Sequence, residues 1–138
     1  MEERPEDERS LVPKNLLVEQ LAERLQEVED LSQIESTVNL AKHYDEKTEN
    51  DVAAGFEALA KYASGLRKLD LSRLPSDVVT DALERLRPLT QHLQQLTGDA
   101  IYSVKGEVNY NSFGNLAYSV SANMRDLITT LQPWLAVL

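Results

Sequence analysis

The chain has 138 residues, of which 42% are hydrophobic and 27% charged, and this suits one compact domain with its own core. A formal net charge of -9 disfavours nucleic acid and anionic membrane surfaces as partners, because their phosphates repel an acidic protein. The lack of cysteine excludes disulfides and thiolate chemistry and is typical of a reducing compartment, so we expect a cytoplasmic protein. No apolar run reaches the roughly 20 residues of a membrane span.

The N-terminal part of the sequence predicts a tail followed by a first helix. Residues 1–9 are almost wholly charged, which predicts a flexible acidic tail in front of a single domain over residues 10–138. The first helix begins near Ser10, with Pro13 in its first turn. Its apolar residues recur at steps of three or four and are Leu17, Leu21, Leu25 and Val28. This spacing predicts one buried face.

A long second helix is predicted over about residues 32–68. An apolar stripe with three- and four-residue steps runs through this segment without a proline. Ser32 and Glu35 have the spacing of a capping box, which marks the start of the helix. The stripe becomes polar over residues 45–51. An alternative interpretation therefore has two helices that meet at residues 48–50.

Two further helices complete the predicted fold. The third follows Pro75 and contains Pro88, which removes one backbone hydrogen bond and predicts a kink but not a break. Residues 99–110 allow two interpretations, a short hairpin or an extended end of the third helix followed by an irregular loop. The fourth helix has the most regular heptad pattern, over residues 113–138. Four amphipathic stripes with short connections predict an all-α, up-down four-helix bundle.

The sequence lacks the motifs that hold phosphates or metal ions by a known mechanism. It contains no G-x-x-x-x-G-K-[ST], no G-x-G-x-x-G and no H-E-x-x-H. Neither His43 nor His92 follows a glutamate three positions earlier, as the di-iron carboxylate bundles require. We therefore expect no cofactor, no metal site and no catalytic residue.

One group of carboxylates is a candidate for phosphate chemistry. Glu46-x-x-Glu49 and Asp81-x-x-Glu84 resemble the paired acidic motifs of all-α nucleotide pyrophosphohydrolases. This resemblance covers four residues and implies a metal-dependent nucleotide hydrolase that holds Mg²⁺ between the second and third helices. In antiparallel register, however, Asp81 lies about 20 Å along the bundle from the level of the first pair. We therefore expect a solvated run of charges.

The same register brings several polar residues to one level of the predicted bundle. They are Thr48, Asp51, His92 and Asn123. A histidine beside a carboxylate titrates near neutrality, so such a polar layer would suit a buried ligand or a proton. The alternative is a few hydrogen-bonded side chains that fix the register of the helices.

The most interface-like residues lie around the junction of the third and fourth helices and at the C-terminal end. They are Tyr102, Tyr110, Asn111, Tyr118 and Trp134. Tyrosine and asparagine together offer rigid contact area and adaptable hydrogen bonds, which favours a partner-binding role. The alternative is that these side chains close the core of the bundle.

We therefore expect a non-catalytic helical module for protein–protein interaction or regulation, a role that also suits one domain of a larger protein. Its partner would be another protein. The second hypothesis is a homo-oligomeric structural protein that uses surplus apolar positions such as Leu16, Leu31 and Ile128. The third is the metal-dependent hydrolase.

Overall fold

The computed structural model describes residues 13–103 and 110–138, which form an all-α bundle. The elements in chain order are α1 (Lys14–Leu31), α2 (Glu35–Thr48), α3 (Val52–Arg67), a 3-10 turn (Leu71–Arg73), α4 (Ser76–Ser103), α5 (Tyr110–Leu131) and a 3-10 segment (Gln132–Val137). No strand occurs in these two ranges, and the predicted all-α class is confirmed. The acidic tail predicted for residues 1–9 lies outside the described residues.

The single long helix predicted over residues 32–68 is wrong, and the two-helix alternative is confirmed. α2 ends at Thr48, and Glu49 has the left-handed conformation, with φ 58° and ψ 36°. The segment 45–51 contains no apolar residue, so a continuous helix through it would bury nothing against the bundle. Because most helical stability comes from packing an apolar face, the chain reverses here instead.

A side chain of α2 holds the first turn of α3. The carboxylate of Asp45 accepts hydrogen bonds from the amides of Val52 at 2.8 Å and Ala53 at 3.0 Å. The first amides of a helix have no acceptor within that helix, so these two bonds satisfy them. Asp51 occupies the N-cap position but makes no side-chain capping bond within the described part of the chain. Asp45 therefore ties the end of α2 to the start of α3.

The junction between α1 and α2 differs from the predicted capping box. α2 begins at Glu35, two residues later than a Ser32 cap would place it, and its N-cap Ile34 contributes no side-chain bond among the described residues. The Ser32 hydroxyl instead donates to the carbonyl of Val28 at 2.7 Å. Ser32 thus closes the C-terminal end of α1 and does not cap α2.

α1 and α2 form one bent arm that runs parallel to α4. The Gln94 amide of α4 donates to Glu27 of α1 at 2.8 Å, and the hydroxyls of Thr37 in α2 and Thr97 in α4 lie 3.5 Å apart. The contacts therefore advance in the same direction along both elements, from Glu27 to Thr37 in the arm and from Gln94 to Thr97 in α4. The bend after α1 does not reverse the chain, and the reversal comes only at the end of α2.

α3 runs antiparallel to this arm. It begins beside Asp45 and ends at Arg67, whose guanidinium lies 2.7 Å from the Glu29 carboxylate in α1. The two side chains of this ion pair are 30% and 19% exposed, so they are partly shielded from water. The pair fixes the C-terminal end of α3 against α1.

The helices pack as a ring with one loose side. The α1–α2 arm packs against α3 on one side and α4 on the other, and α4 packs most extensively against α5. α3 and α5, the two ends of this series, barely touch. α3 and α4 are not a closely packed pair in the described ranges, although they are consecutive, so the segment 68–75 crosses the end of the bundle. The ring is therefore least closed between α3 and α5.

The core consists mainly of leucines, and every α-helix contributes at least one of them. Its largest fully buried side chains are Leu21, Leu25, Val28, Leu59, Leu74, Leu86, Leu89, Leu93, Leu96, Phe113, Leu127 and Leu131. α4 continues through Pro88, as the sequence predicted. Residues 99–103 also belong to α4, which agrees with the interpretation of an extended third helix and not with a hairpin that starts at residue 99, and residues 104–109 lie outside the described ranges.

Asp45→Ala is expected to lower the free energy of unfolding by about 1 to 2 kcal/mol, the usual cost of losing a helix cap. Asp51→Ala should change it by less than about 0.5 kcal/mol, because that side chain makes no cap bond. Urea denaturation followed by circular dichroism measures both. Equal effects of the two variants would contradict the assignment of Asp45 as the cap.

Glu49→Gly is expected to raise the free energy of unfolding by about 1 kcal/mol, because glycine adopts the left-handed conformation without a steric penalty. Glu46→Gly is the control, since Glu46 lies in the last turn of α2, where glycine should cost about 1 kcal/mol. The same denaturation experiment compares them. A loss of stability in both variants would contradict the αL assignment.

Candidate binding groove between α3 and α5

A groove of about 430 Å³ opens along the loose side of the bundle. Its apolar floor consists of core side chains, of which Phe56, Leu59, Ala117 and Val120 are buried and Met124 is half-buried. The volume falls within the roughly 300 to 1,000 Å³ typical of ligand pockets. Because α3 and α5 stand apart, the core is approached from outside at this place.

The rim of the groove is polar and exposed. Asn50 and Asp51 line it at the α2–α3 turn, and Tyr118, Ser121 and Arg125 line it on α5. The Tyr118 side chain is 69% exposed although it is large and partly apolar. An apolar floor inside a polar rim that includes tyrosine and arginine is the composition of protein-binding surfaces.

Tyr44 of α2 closes one end of the groove by packing on the start of α5. A Cβ atom added to Gly114 would lie 2.6 Å from the Tyr44 hydroxyl oxygen, so only glycine allows this close approach. The rings of Tyr44 and Phe113 are also in tilted contact, with their centroids 5.2 Å apart. Tyr44 thus joins α2 to α5.

The two walls of the groove run in the same direction. α3 begins next to the last turn of α2, where Tyr44 contacts Gly114 near the start of α5. The α5 wall extends from Gly114 to Arg125, eleven residues later, which corresponds to about 16 Å or about three helical turns. The groove is therefore about as long as a short helical segment.

The predicted interface residues do not form one surface. Tyr118 lies on the rim of the groove, whereas Trp134 is half-buried and packs against the core beyond the far end of α5. About 20 Å of α5 separates them. The side chains of Tyr102, Tyr110 and Asn111 lie outside the described residues.

The structure brings together two of the four residues of the predicted polar layer. The Asn123 amide nitrogen lies 3.1 Å from His92 Nδ1, and both side chains are half-buried between α4 and α5. Thr48 and Asp51 are exposed at the α2–α3 turn, and the Thr48 hydroxyl donates to the Tyr44 carbonyl at 2.8 Å. The predicted register assumed a continuous helix through residue 49, and the reversal there separates the two pairs.

The candidate carboxylates are also dispersed. Glu46, Glu49, Asp81 and Glu84 are all exposed. Within residues 13–103 and 110–138, no three aspartate, glutamate or histidine side chains are grouped so that they could hold a metal ion. The nearby Asp45 is half-buried, and both of its carboxylate oxygens accept amide hydrogen bonds.

One buried titratable group lies elsewhere on α3. Burial raises the pKa of the Tyr62 hydroxyl, which has no hydrogen-bond partner among the described residues. Tyr62 packs against the core and does not line the groove. An enclosed, neutral hydroxyl without a partner is a local cost in stability and supplies no chemistry to the groove.

The chain matches no family model, no curated protein and no solved structure. None of the described helices has the length and apolar character needed to cross a membrane. The basis for a functional proposal is therefore the groove itself.

Gly114→Ala is expected to destabilise the protein by about 1 to 3 kcal/mol, because the added methyl group would overlap the Tyr44 ring. Gly98→Ala in α4 is the control and should be neutral or stabilising, since open space surrounds its Cβ position. Thermal melts measure both. Tyr44→Phe removes the hydroxyl oxygen, which is the atom nearest to the added methyl group. The double variant should therefore be about 1 kcal/mol more stable than the sum of the two single effects predicts. Additive effects would contradict the contact.

Proposed function

We propose that this protein is a non-catalytic interaction module that binds a segment of another protein in the groove between α3 and α5. The observation that supports this most directly is the loose side of the bundle, where core residues form the floor of an open groove. The exposed ring of Tyr118 on the rim supports it further, because tyrosine is enriched among residues that dominate binding energy. With no cysteine in the chain, we also propose a cytoplasmic location.

The form of the groove favours a short segment over a globular partner. Stable interfaces bury about 800 Å² on each partner, and a groove about three turns long provides a smaller contact. The described residues offer no strand edge to which a peptide could add. An apolar groove of this length suits a bound helix, in which residues three and four apart point toward the floor.

The homo-oligomer hypothesis receives less support from the positions on which it was based. Leu16 is 44% exposed. Leu31 and Ile128 are half-buried, and Leu31 packs against the core of its own chain. A symmetric interface requires a contiguous self-complementary patch, which one exposed leucine does not supply.

The test uses a photo-crosslinking amino acid in place of Tyr118, introduced in cells that contain the native partners. We expect a specific adduct whose yield falls at least about fivefold when Gly55→Gln is added, because Gly55 lies in the wall of the groove. Gly65→Gln is the matched control, since Gly65 is an exposed glycine of the same helix that does not line the groove. Both positions have open space for a side chain, and glutamine favours the helix, so both variants should fold.

Two outcomes would contradict the proposed function. Adducts that are equally abundant in the Gly55 and Gly65 variants would place the partner outside the groove. A crosslinker at Leu16 that yields an adduct of two identical chains, with no adduct at Tyr118, would support the homo-oligomer instead.

A further inference from the structure

We infer that the segment bound in the groove is a short amphipathic helix that lies antiparallel to α3 and α5 and has basic residues at its C-terminal end. This inference rests on the proposed function, because it concerns the same groove. It specifies the chemistry and the direction of the partner segment.

The two ends of the groove differ in charge. Asp51 lines the end at the α2–α3 turn, where Glu46 and Glu49 are also exposed, and Lys47 is the one cation in the segment 45–51. Arg125 lines the groove about three turns further along α5. The turn therefore attracts cationic side chains, and the other end attracts a carboxylate.

The rest of the surface strengthens the preference for a basic partner at the turn. The chain has a formal net charge of -9, so its summed field attracts cationic segments. Asp126 is exposed next to Arg125 but does not line the groove, so the arginine is the charge that faces an occupant. Electrostatic complementarity of this kind affects the orientation of a bound segment more than its total affinity.

Helix dipoles favour one direction for the bound helix. α3 and α5 both begin at the end that Tyr44 closes, so the positive ends of their dipoles lie together there. An antiparallel helix would bring its own negative C-terminal end to this place. Lysine and arginine are favoured in the last turn of a helix and acidic residues in its first turn. The antiparallel direction therefore places the partner's basic end beside Asp51 and its acidic end beside Arg125.

The length of the groove sets the size of the segment. About 16 Å of wall corresponds to about eleven helical residues. In such a helix, apolar side chains at positions i, i+4 and i+7 face one side and would reach the floor between Phe56 and Met124. A longer apolar stripe would extend past the groove.

The experiment compares two synthetic peptides of about eleven residues with identical apolar positions and composition, each locked as a helix by a side-chain staple. One has glutamates in its first turn and arginines in its last turn, and the other has these exchanged. Fluorescence anisotropy with the full-length protein at low salt measures their affinities. We expect the first peptide to bind about tenfold more tightly, with a preference that shrinks as salt screens the charges.

The double variant Asp51→Arg with Arg125→Glu is expected to reverse this preference, whereas Gly55→Gln should weaken both peptides. Both exchanged residues are exposed, and Asp51 makes no capping bond within the described residues, so the fold should be retained. If both peptides bind the native protein equally well and neither binds the Gly55→Gln variant, the inferred direction of the bound helix is wrong. The proposed function would not be affected by that result. A preference that the charge exchange does not reverse, or no saturable binding of either peptide, would also overturn this inference. The crosslink at Tyr118 tests the proposed function separately.

Discussion

The carboxylate of Asp45 determines where the chain reverses, and the arrangement of the other helices depends on that reversal. Its two hydrogen bonds to the amides of Val52 and Ala53 offset the left-handed conformation of Glu49, which costs about 1 to 2 kcal/mol. With the reversal at this point, α1 and α2 become one arm, and α3 returns along it until Arg67 meets Glu29. The loose side of the ring then falls between α3 and α5.

The helical periodicity predicted the class of fold because burial follows it closely. Leu21, Leu25 and Val28 were all assigned to one buried stripe, and all are almost fully buried. The same periodicity could not separate one long helix from two, because Asp45, Thr48 and Val52 keep the three- and four-residue spacing across the break. The break is stabilised by the Asp45 carboxylate, which accepts a hydrogen bond from the Val52 amide seven residues later. No local sequence rule describes such a bond.

The candidate site was less predictable for a different reason. Tyr118 was identified from its residue type, but Phe56 and Leu59 belong to the apolar stripe of the second predicted helix, which gave no sign of a binding site. Whether a neighbouring helix covers an apolar stripe depends on which helices pack side by side. That arrangement follows from the reversal at Glu49. Gly55 and Gly114 carried a partial signal, since a glycine inside a helix costs about 1 kcal/mol, but Gly65 and Gly98 also lie inside helices and do not line the groove.

The last turn of α2 anchors both walls of the groove. Asp45 holds the first amides of α3, while its neighbour Tyr44 packs on Gly114 and Phe113 at the start of α5. The separation of α3 and α5 at this end therefore does not require direct contact between them, which is consistent with the few contacts that they make. For the proposed segment, binding would then order fewer groups of the protein, so more of the contact energy would appear as affinity.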